Sequence, residues 1–148
     1  MEFDPIFPPG FHDIEIEQVD DLFVNSFPNN ERRRYLTDRF KAFIERFLDL
    51  GLSAEIWLDG SYSTAKPEPD DIDILIVFNP LEINALPIEK HPILNELFNR
   101  ELSKIRYNLD VLLLPSDDVN KRSYWRGWFG YSRTEIPKGI PRIYYGVN

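Results

Sequence analysis

Residues 55–78, EIWLDGSYSTAKPEPDDIDILIVF, contain the pattern that decides the fold. One apolar strand, residues 55–59, ends at a Gly60-Ser61 turn, and a second, residues 72–78, follows a short polar segment. Asp71 and Asp73 flank the start of this second strand, and residues i and i+2 of a strand point to the same face. Two carboxylates side by side destabilise a fold unless a cation lies between them. The pattern therefore predicts a cation site, and a divalent metal is the simplest candidate.

Length and composition favour one folded domain over residues 1–148, with 43% hydrophobic and 14% aromatic residues. No apolar run reaches the roughly 18 residues that a membrane span needs, and no signal peptide is visible. The chain has no Cys, which excludes disulfides and thiolate metal sites. We therefore expect a cytoplasmic protein with no membrane partner. A net charge of −8 also disfavours broad binding of nucleic acid.

The charges are unevenly distributed along the chain. Residues 1–30 contain seven acids and no Lys or Arg, whereas residues 119–148 contain six bases and a single acid, Glu135. One interpretation is that the two ends complement each other across the fold or lie in solvent. The other is that the basic, aromatic tail, residues 119–148, faces an anionic ligand.

Helices and strands are predicted to alternate, which favours an α/β or α+β sheet with helices on at least one face. Residues 1–28 are rich in proline and predict an extended arm, which packs on its own chain or on a neighbour. An amphipathic helix begins after Asn29 or Asn30 and ends at Gly51. The remaining predicted elements are a helix from His91 to about Ile105, a strand over residues 108–114, a short helix closed by Gly130, and a last strand near residues 142–145.

Asp110 is a third isolated acid in an apolar strand. Mg²⁺ is usually held by one or two carboxylates together with substrate phosphates, and two such ions can stabilise both oxygens of an in-line phosphoryl displacement. Asp71, Asp73 and Asp110 are the predicted ligands, and Asp110 also suits a general base. Gly60 permits close approach to a ligand, and Ser61 with the following N–H groups suits a phosphate.

The remaining candidate ligand contacts each have a structural alternative. Lys66 and Lys138 lie in predicted loops, where each would either contact phosphate or remain in solvent. Aromatic residues of the tail would either stack on a nucleobase or pack in the core, and the core is the favoured interpretation for tryptophan. A solvated helix end is favoured over a ligand patch for Arg32, Arg33 and Arg34.

The Gly60-Ser61 pair, nine intervening residues and Asp71-Ile72-Asp73 resemble the signature of the nucleotidyltransferase superfamily related to DNA polymerase beta. The short length is similar to that of the minimal nucleotidyltransferases (MNT proteins) of prokaryotes. Asp110 matches the third acid of the signature, and Asp59 departs from it, because that position is usually apolar. The flanking segments PPGFHD, NNERR and YWRGWFGYSRTEIPKGIPRI resemble an uncharacterised bacterial family of nucleotidyltransferase-like proteins.

The resemblance implies a nucleotidyltransferase fold, in which a mixed sheet carries the Gly-Ser turn and the Asp-x-Asp strand. It also implies Mg²⁺ or Mn²⁺ and a nucleoside triphosphate. Gly60 and Ser61 would then hold phosphate, Asp71 and Asp73 the metals, and Asp110 the second metal or the role of base.

The implied reaction is transfer of a nucleoside monophosphate, commonly AMP, to a protein or small-molecule acceptor, and such a partner protein is often encoded nearby, as in toxin–antitoxin pairs. The alternative is a catalytically weak or inactive binding subunit, such as an antitoxin or a phage-defence partner. The few residues after Asp110 favour that alternative, because many relatives carry a further helical domain. Three repulsive acids in apolar strands favour the enzyme, since a pure binding protein has no need of them.

Overall fold

The two strands predicted from residues 55–78 form the centre of a five-stranded mixed sheet in the computed structural model, which describes residues 3–146. The strands are β1 (Gly10–Asp13), β2 (Ala54–Asp59), β3 (Ile72–Phe78), β4 (Leu109–Pro115) and β5 (Gly139–Tyr145). The α-helices in the described range are α1 (Glu31–Leu48), α2 (Pro80–Asn84), α3 (His91–Leu97), α4 (Arg100–Tyr107) and α5 (Val119–Phe129). The expected mixed sheet with helices is therefore present.

The spatial order of the strands is β1-β5-β2-β3-β4. Strands β2 and β3 are antiparallel neighbours, and β4 lies parallel to β3 on the far side. Strand β5 pairs with the other edge of β2 in antiparallel fashion and with β1 in parallel fashion. The N-terminal and C-terminal segments thus complete the sheet that the central hairpin begins.

Successive side chains of each strand point to opposite sides, so the sheet has two different faces. One face packs on α1 through a large apolar core, which includes Ile74 and Ile76 of β3 together with Phe40, Phe43 and Phe47 of the helix. The other face carries a smaller apolar cluster beneath α5, with members Trp57, Leu75, Val77, Leu114, Phe129 and Ile140. On this second face the apolar pattern of the strands is interrupted by acids at one end.

The proline-rich N-terminal segment packs on its own chain, which is one of the two alternatives predicted for the arm. Residues 10–13 add the edge strand β1, and two short helical turns, Ile16–Gln18 and Asp21–Asn25, follow it. Val19, Phe23 and Val24 are fully buried, which explains why apolar residues recur in this segment. Met1 and Glu2 of the predicted arm, and Val147 and Asn148 of the predicted tail, lie outside the described residues.

The single helix predicted from His91 to about Ile105 is wrong, because the chain forms two helices there. Helix α3 ends at Leu97, and the side-chain oxygen of Asn99 accepts a hydrogen bond from the Leu102 N–H at 3.1 Å, which caps the start of α4. Asparagine is a strong N-cap residue, so this cap stabilises the break. The break places Arg100 at the first position of α4.

Candidate functional site

Three carboxylates form a row across neighbouring strands on the α5 face of the sheet. Asp59 of β2 is the register partner of Asp73 of β3, and Asp73 is the register partner of Asp110 of β4. Directly opposed residues on one face lie within side-chain contact range. Asp71 lies two residues before Asp73, immediately before β3. The structure therefore brings the three predicted acids to one end of the sheet and adds a fourth, Asp59, which was not predicted.

Ion pairs hold the two outer members of this acid row. Lys138 forms an ion pair with Asp59, and both side chains are about nine-tenths buried. The contact does not have the geometry of a hydrogen bond. At the other end Arg100 donates to both oxygens of Asp110, at 2.6 and 3.0 Å. Such a bidentate pair is among the stronger charge-assisted contacts. Lys138 was predicted as a phosphate contact, and the structure places it against Asp59.

Asp73 lies in the middle of the row without a counter-ion. In the part of the chain that the structure describes, no Lys, Arg or His forms an ion pair with Asp71 or Asp73. Burial, followed by the charges of Asp71, Asp59 and Asp110, raises the pKa of Asp73 to about 7. Burial and the charge of Asp110 also raise the pKa of Asp71. The local field therefore favours either a proton or an added cation at this pair.

Gly60 joins the acid row to the turn that follows β2. Its φ of +76° and ψ of −167° lie in a region that is open essentially only to glycine. A Cβ atom at this position would lie 2.6 Å from Oδ2 of Asp73. Gly60 is thus required by its backbone conformation and by the closeness of the Asp73 carboxylate. A contact between Gly60 and phosphate stays a prediction.

Ser61 begins a single turn of 3-10 helix, Ser61–Ser63. The Ser63 N–H donates to the carbonyl of Gly60 at 3.2 Å, and the Thr64 N–H donates to the carbonyl of Ser61 at 3.2 Å. These two N–H groups are used within the turn and are not available to a phosphate. The role of Ser61 in phosphate binding remains a prediction that rests on its own side chain and on the earlier N–H groups.

The turn after Gly60 is held by Arg33 of α1, which is fully buried. Its guanidinium donates to the carbonyls of Tyr62 at 2.9 Å, Thr64 at 2.6 Å and Lys66 at 2.7 and 3.0 Å. It also lies over the ring of Phe27, 3.8 Å from the centroid. Burial lowers the pKa of Arg33 to about 10, so the side chain stays charged at neutral pH. The favoured interpretation of Arg33 as part of a solvated helix end is therefore wrong.

Lys66 lies at the end of this turn, where its carbonyl accepts the bonds from Arg33. It is half-buried and is not among the described residues that line the cavity above the acid row. The structure thus assigns a structural role to the Lys66 backbone. A phosphate contact by its side chain stays a prediction.

A cavity of about 240 Å³ lies between the acid row and α5. Asp59, Asp73 and Asp110 form its floor, and Arg100 lies at one side. The wall is aromatic and comes from α5, whose contributing residues are Tyr124, Trp125, Trp128 and Phe129. A larger cavity of about 400 Å³ lies beside α5 against β1 and β5, and Lys138 contributes to its lining. The smaller cavity is the one that contains the acids.

The carboxylates at this floor, and Asp71 beside it, differ in how well they suit a divalent metal. Among residues 3–146 no three His, Asp or Glu side chains are grouped closely enough to enclose a metal ion. Asp71 and Asp73 nevertheless fit Mg²⁺, which needs only one or two protein carboxylates when phosphates complete its shell. Burial, followed by the charges of neighbouring carboxylates, raises the pKa of both groups, so an added cation would be favoured there. Asp110 fits less well, because Arg100 occupies both of its oxygens.

The sequence did not predict that three residues contribute to the site, namely Asp59, Arg100 and Arg33. Asp59 was visible as a departure from an otherwise apolar strand, and that signal indicates an acid at the end of β2. Arg100 had no comparable signal, because it was placed inside a continuous helix.

No helix within residues 3–146 is both long and apolar enough to span a membrane. No curated protein matches the chain, and no solved structure matches it either. A family model matches residues 1–144, which is nearly the whole chain. This chain belongs to a family of unknown function, DUF6932.

Proposed function

We propose that the protein is a metal-dependent nucleotidyltransferase, which moves a nucleoside monophosphate from a nucleoside triphosphate to a protein or small-molecule acceptor. The observation that carries this proposal is Asp73, which lies between Asp59 and Asp110 at the floor of a cavity and forms no ion pair among the described residues. Asp71 lies two residues before it. AMP is the expected group, because it is common among the proteins that the Gly-Ser and Asp-x-Asp pattern resembles.

The topology supports the proposal because the residues of the pattern lie on adjacent strands of the sheet. The Gly60-Ser61 turn follows β2, the Asp-x-Asp pair begins the antiparallel neighbour β3, and the third acid lies in register on β4. A phosphate near the turn would therefore lie close to the carboxylates. The residues of the pattern are therefore close together in the fold.

Each residue of the site has a separate role in the proposed reaction. Asp71 and Asp73 would hold Mg²⁺ or Mn²⁺, which when bound offsets the charge of the phosphates and of the leaving pyrophosphate. Lys138 holds Asp59 and reduces the negative charge of the floor. Arg100 is more than half exposed, so it can leave Asp110 for a phosphate oxygen. Asp110, once released, would accept the proton of the acceptor or serve as a further metal ligand.

Label transfer from α-³²P nucleoside triphosphates tests the proposal. The purified chain would be incubated with Mg²⁺ or Mn²⁺, alone and with the product of a neighbouring gene. We expect transfer and pyrophosphate release, both lost in Asp73→Asn and retained in Asp38→Asn, a matched exposed acid on α1. Absence of transfer, of pyrophosphate release and of any metal-dependent thermal shift under every pairing would reject the proposal.

A second candidate is a binding subunit with little or no catalysis, such as an antitoxin or a phage-defence partner. The ion pairs of Arg100 and Lys138 favour it, because they already compensate two of the four carboxylates. A complex with a neighbouring gene product that survives Asp73→Asn, together with no label transfer, would support this candidate. Loss of transfer without loss of the complex would separate the two activities.

A further inference from the structure

Helix α5 presents two large aromatic side chains that the fold does not bury. Tyr124 and Trp128, at positions i and i+4, are 62% and 65% exposed. The neighbouring Phe129 is 1% exposed and packs against Trp57 of the sheet. The core therefore needs Phe129, whereas Tyr124 and Trp128 contribute little to it. Both line the cavity whose floor is the acid row.

Trp125 adds a second, independent observation at the same cavity. Its indole Nε1 is buried and has no hydrogen-bond acceptor among residues 3–146. A buried donor without an acceptor is uncommon in folded proteins and destabilises them. Trp125 also lines the cavity. Because Nε1 has almost no accessible surface, the indole ring must turn toward the cavity before a ligand there can supply the missing acceptor. The wall thus combines exposed rings with an unused donor.

The floor and the wall of the cavity differ in chemistry. The floor is acidic and suits a cation with phosphates, whereas the wall is aromatic and carries an N–H group. Aromatic side chains stack on the face of any nucleobase, and a purine offers both a larger face and ring nitrogens that accept hydrogen bonds. One nucleotide therefore meets both surfaces when its base lies toward α5 and its phosphates toward β3.

We propose that Tyr124 and Trp128 bind the purine base of the nucleotide by stacking, and that the Trp125 indole N–H donates to a ring nitrogen of that base. This inference rests on the proposed function, because it names the substrate class and the specificity residues of the same cavity. A cation held by the acids would then position the phosphates, and α5 selects purine over pyrimidine nucleotides.

Isothermal titration of the full chain with four probes tests the inference: ATP, UTP, adenosine and inorganic tripolyphosphate, each with Mn²⁺. We expect ATP to bind more tightly than UTP. Trp128→Ala should weaken the binding of ATP and of adenosine by about 5- to 150-fold. Trp125→Phe, which keeps a ring and removes the N–H, should weaken ATP by about three- to tenfold. Tripolyphosphate affinity should not change in either variant.

Tyr131→Ala is the matched control, because Tyr131 is 50% exposed and lines the other cavity. We expect it to bind every probe as the wild type does, and circular dichroism would confirm that each variant is folded. Wild-type affinity for ATP in Trp128→Ala, or equal affinity for ATP and UTP, would overturn the inference and leave the transferase proposal standing. Adenosine binding that requires Trp128, without label transfer by the wild type, would support the base site and reject the transferase. Failure of the wild type to bind ATP and tripolyphosphate would overturn both.

Discussion

Replacement of Gly60 by alanine tests the close approach between the β2 turn and the acid row. The φ of +76° with ψ of −167° disfavours any residue with a Cβ, and the new Cβ would lie 2.6 Å from Oδ2 and 3.0 Å from Cγ of Asp73. The substitution therefore strains the backbone and also pushes the Asp73 carboxylate. These two costs arise from separate atoms and can be measured separately.

The expected loss of stability follows from these two costs. A non-glycine residue in this backbone region costs about 1–3 kcal/mol. The added methyl against a packed carboxylate costs a further 1–3 kcal/mol, roughly. We expect Gly60→Ala to lower the free energy of unfolding by about 2–6 kcal/mol, which corresponds to roughly 5–20 °C in the melting temperature of a chain of this size.

Urea denaturation followed by circular dichroism measures the loss, and Gly127→Ala is the matched control. Gly127 lies within α5, and a methyl group added there would meet no atom within 4 Å, so alanine should stabilise the protein by about 0.5–1 kcal/mol. The two glycine-to-alanine changes are thus expected to have opposite signs. A loss below about 0.5 kcal/mol for Gly60→Ala would refute the reasoning on backbone strain.

Asp73→Ala in combination with Gly60→Ala separates the contact from the backbone strain. Without the carboxylate, the nearest Asp73 atom to the new methyl is its Cβ at 3.4 Å, an ordinary van der Waals contact. The loss caused by Gly60→Ala should therefore be smaller in the Asp73→Ala background by about 1–3 kcal/mol. An equal loss in both backgrounds would show that the carboxylate does not meet the new methyl.

Three further variants have defined outcomes. With EDTA present to remove metal ions, Asp73→Asn should stabilise the protein by up to about 4 kcal/mol at pH 8 and by little at pH 4. The reason is that burial and neighbouring charges raise the pKa of Asp73 from the ordinary 3.8 to about 7 in the folded protein. The stability of the wild type therefore falls as the pH rises between these two values. Arg33→Met should cost about 3–5 kcal/mol in urea denaturation, since it leaves the carbonyls of the β2–β3 turn without their donor. Arg100→Gln should raise the affinity for Mn²⁺ alone by about fivefold in calorimetry, because removal of a nearby positive charge favours the cation by about 1 kcal/mol.

Each of these variants has a control substitution of the same chemical type. The control for Asp73→Asn is Asp38→Asn, which changes an exposed acid on α1, and an equal gain in both variants would contradict the electrostatic cause. Arg34→Met, next to Arg33 but partly exposed and paired with Asp20, should cost less than about 1 kcal/mol. Arg106→Gln removes an equally exposed ion pair from α4 and should leave Mn²⁺ affinity unchanged. An effect as large in the control as in the variant would refute the corresponding prediction.

Local sequence patterns were sufficient to predict most helices and strands. Strand β3 occupies residues 72–78 as predicted, and α1 lies between the predicted asparagine start and Gly51. Period-2 and period-3.6 apolar patterns are properties of neighbouring residues, so they can be seen without a structure. The break between α3 and α4 was missed because the apolar spacing continues across it while the Asn99 cap interrupts the backbone.

The sequence by itself determined that Asp71 and Asp73 share one face beside a Gly-Ser turn, because that relation depends only on strand alternation. The tertiary structure alone decided that Asp59 completes the row and that Lys138 and Arg100 hold its two ends. Those relations depend on the register of β2 with β3, on the return of β5 to the other edge of β2, and on the position of a helix break. Each joins residues on different secondary-structure elements, and the pattern within one element does not contain that information.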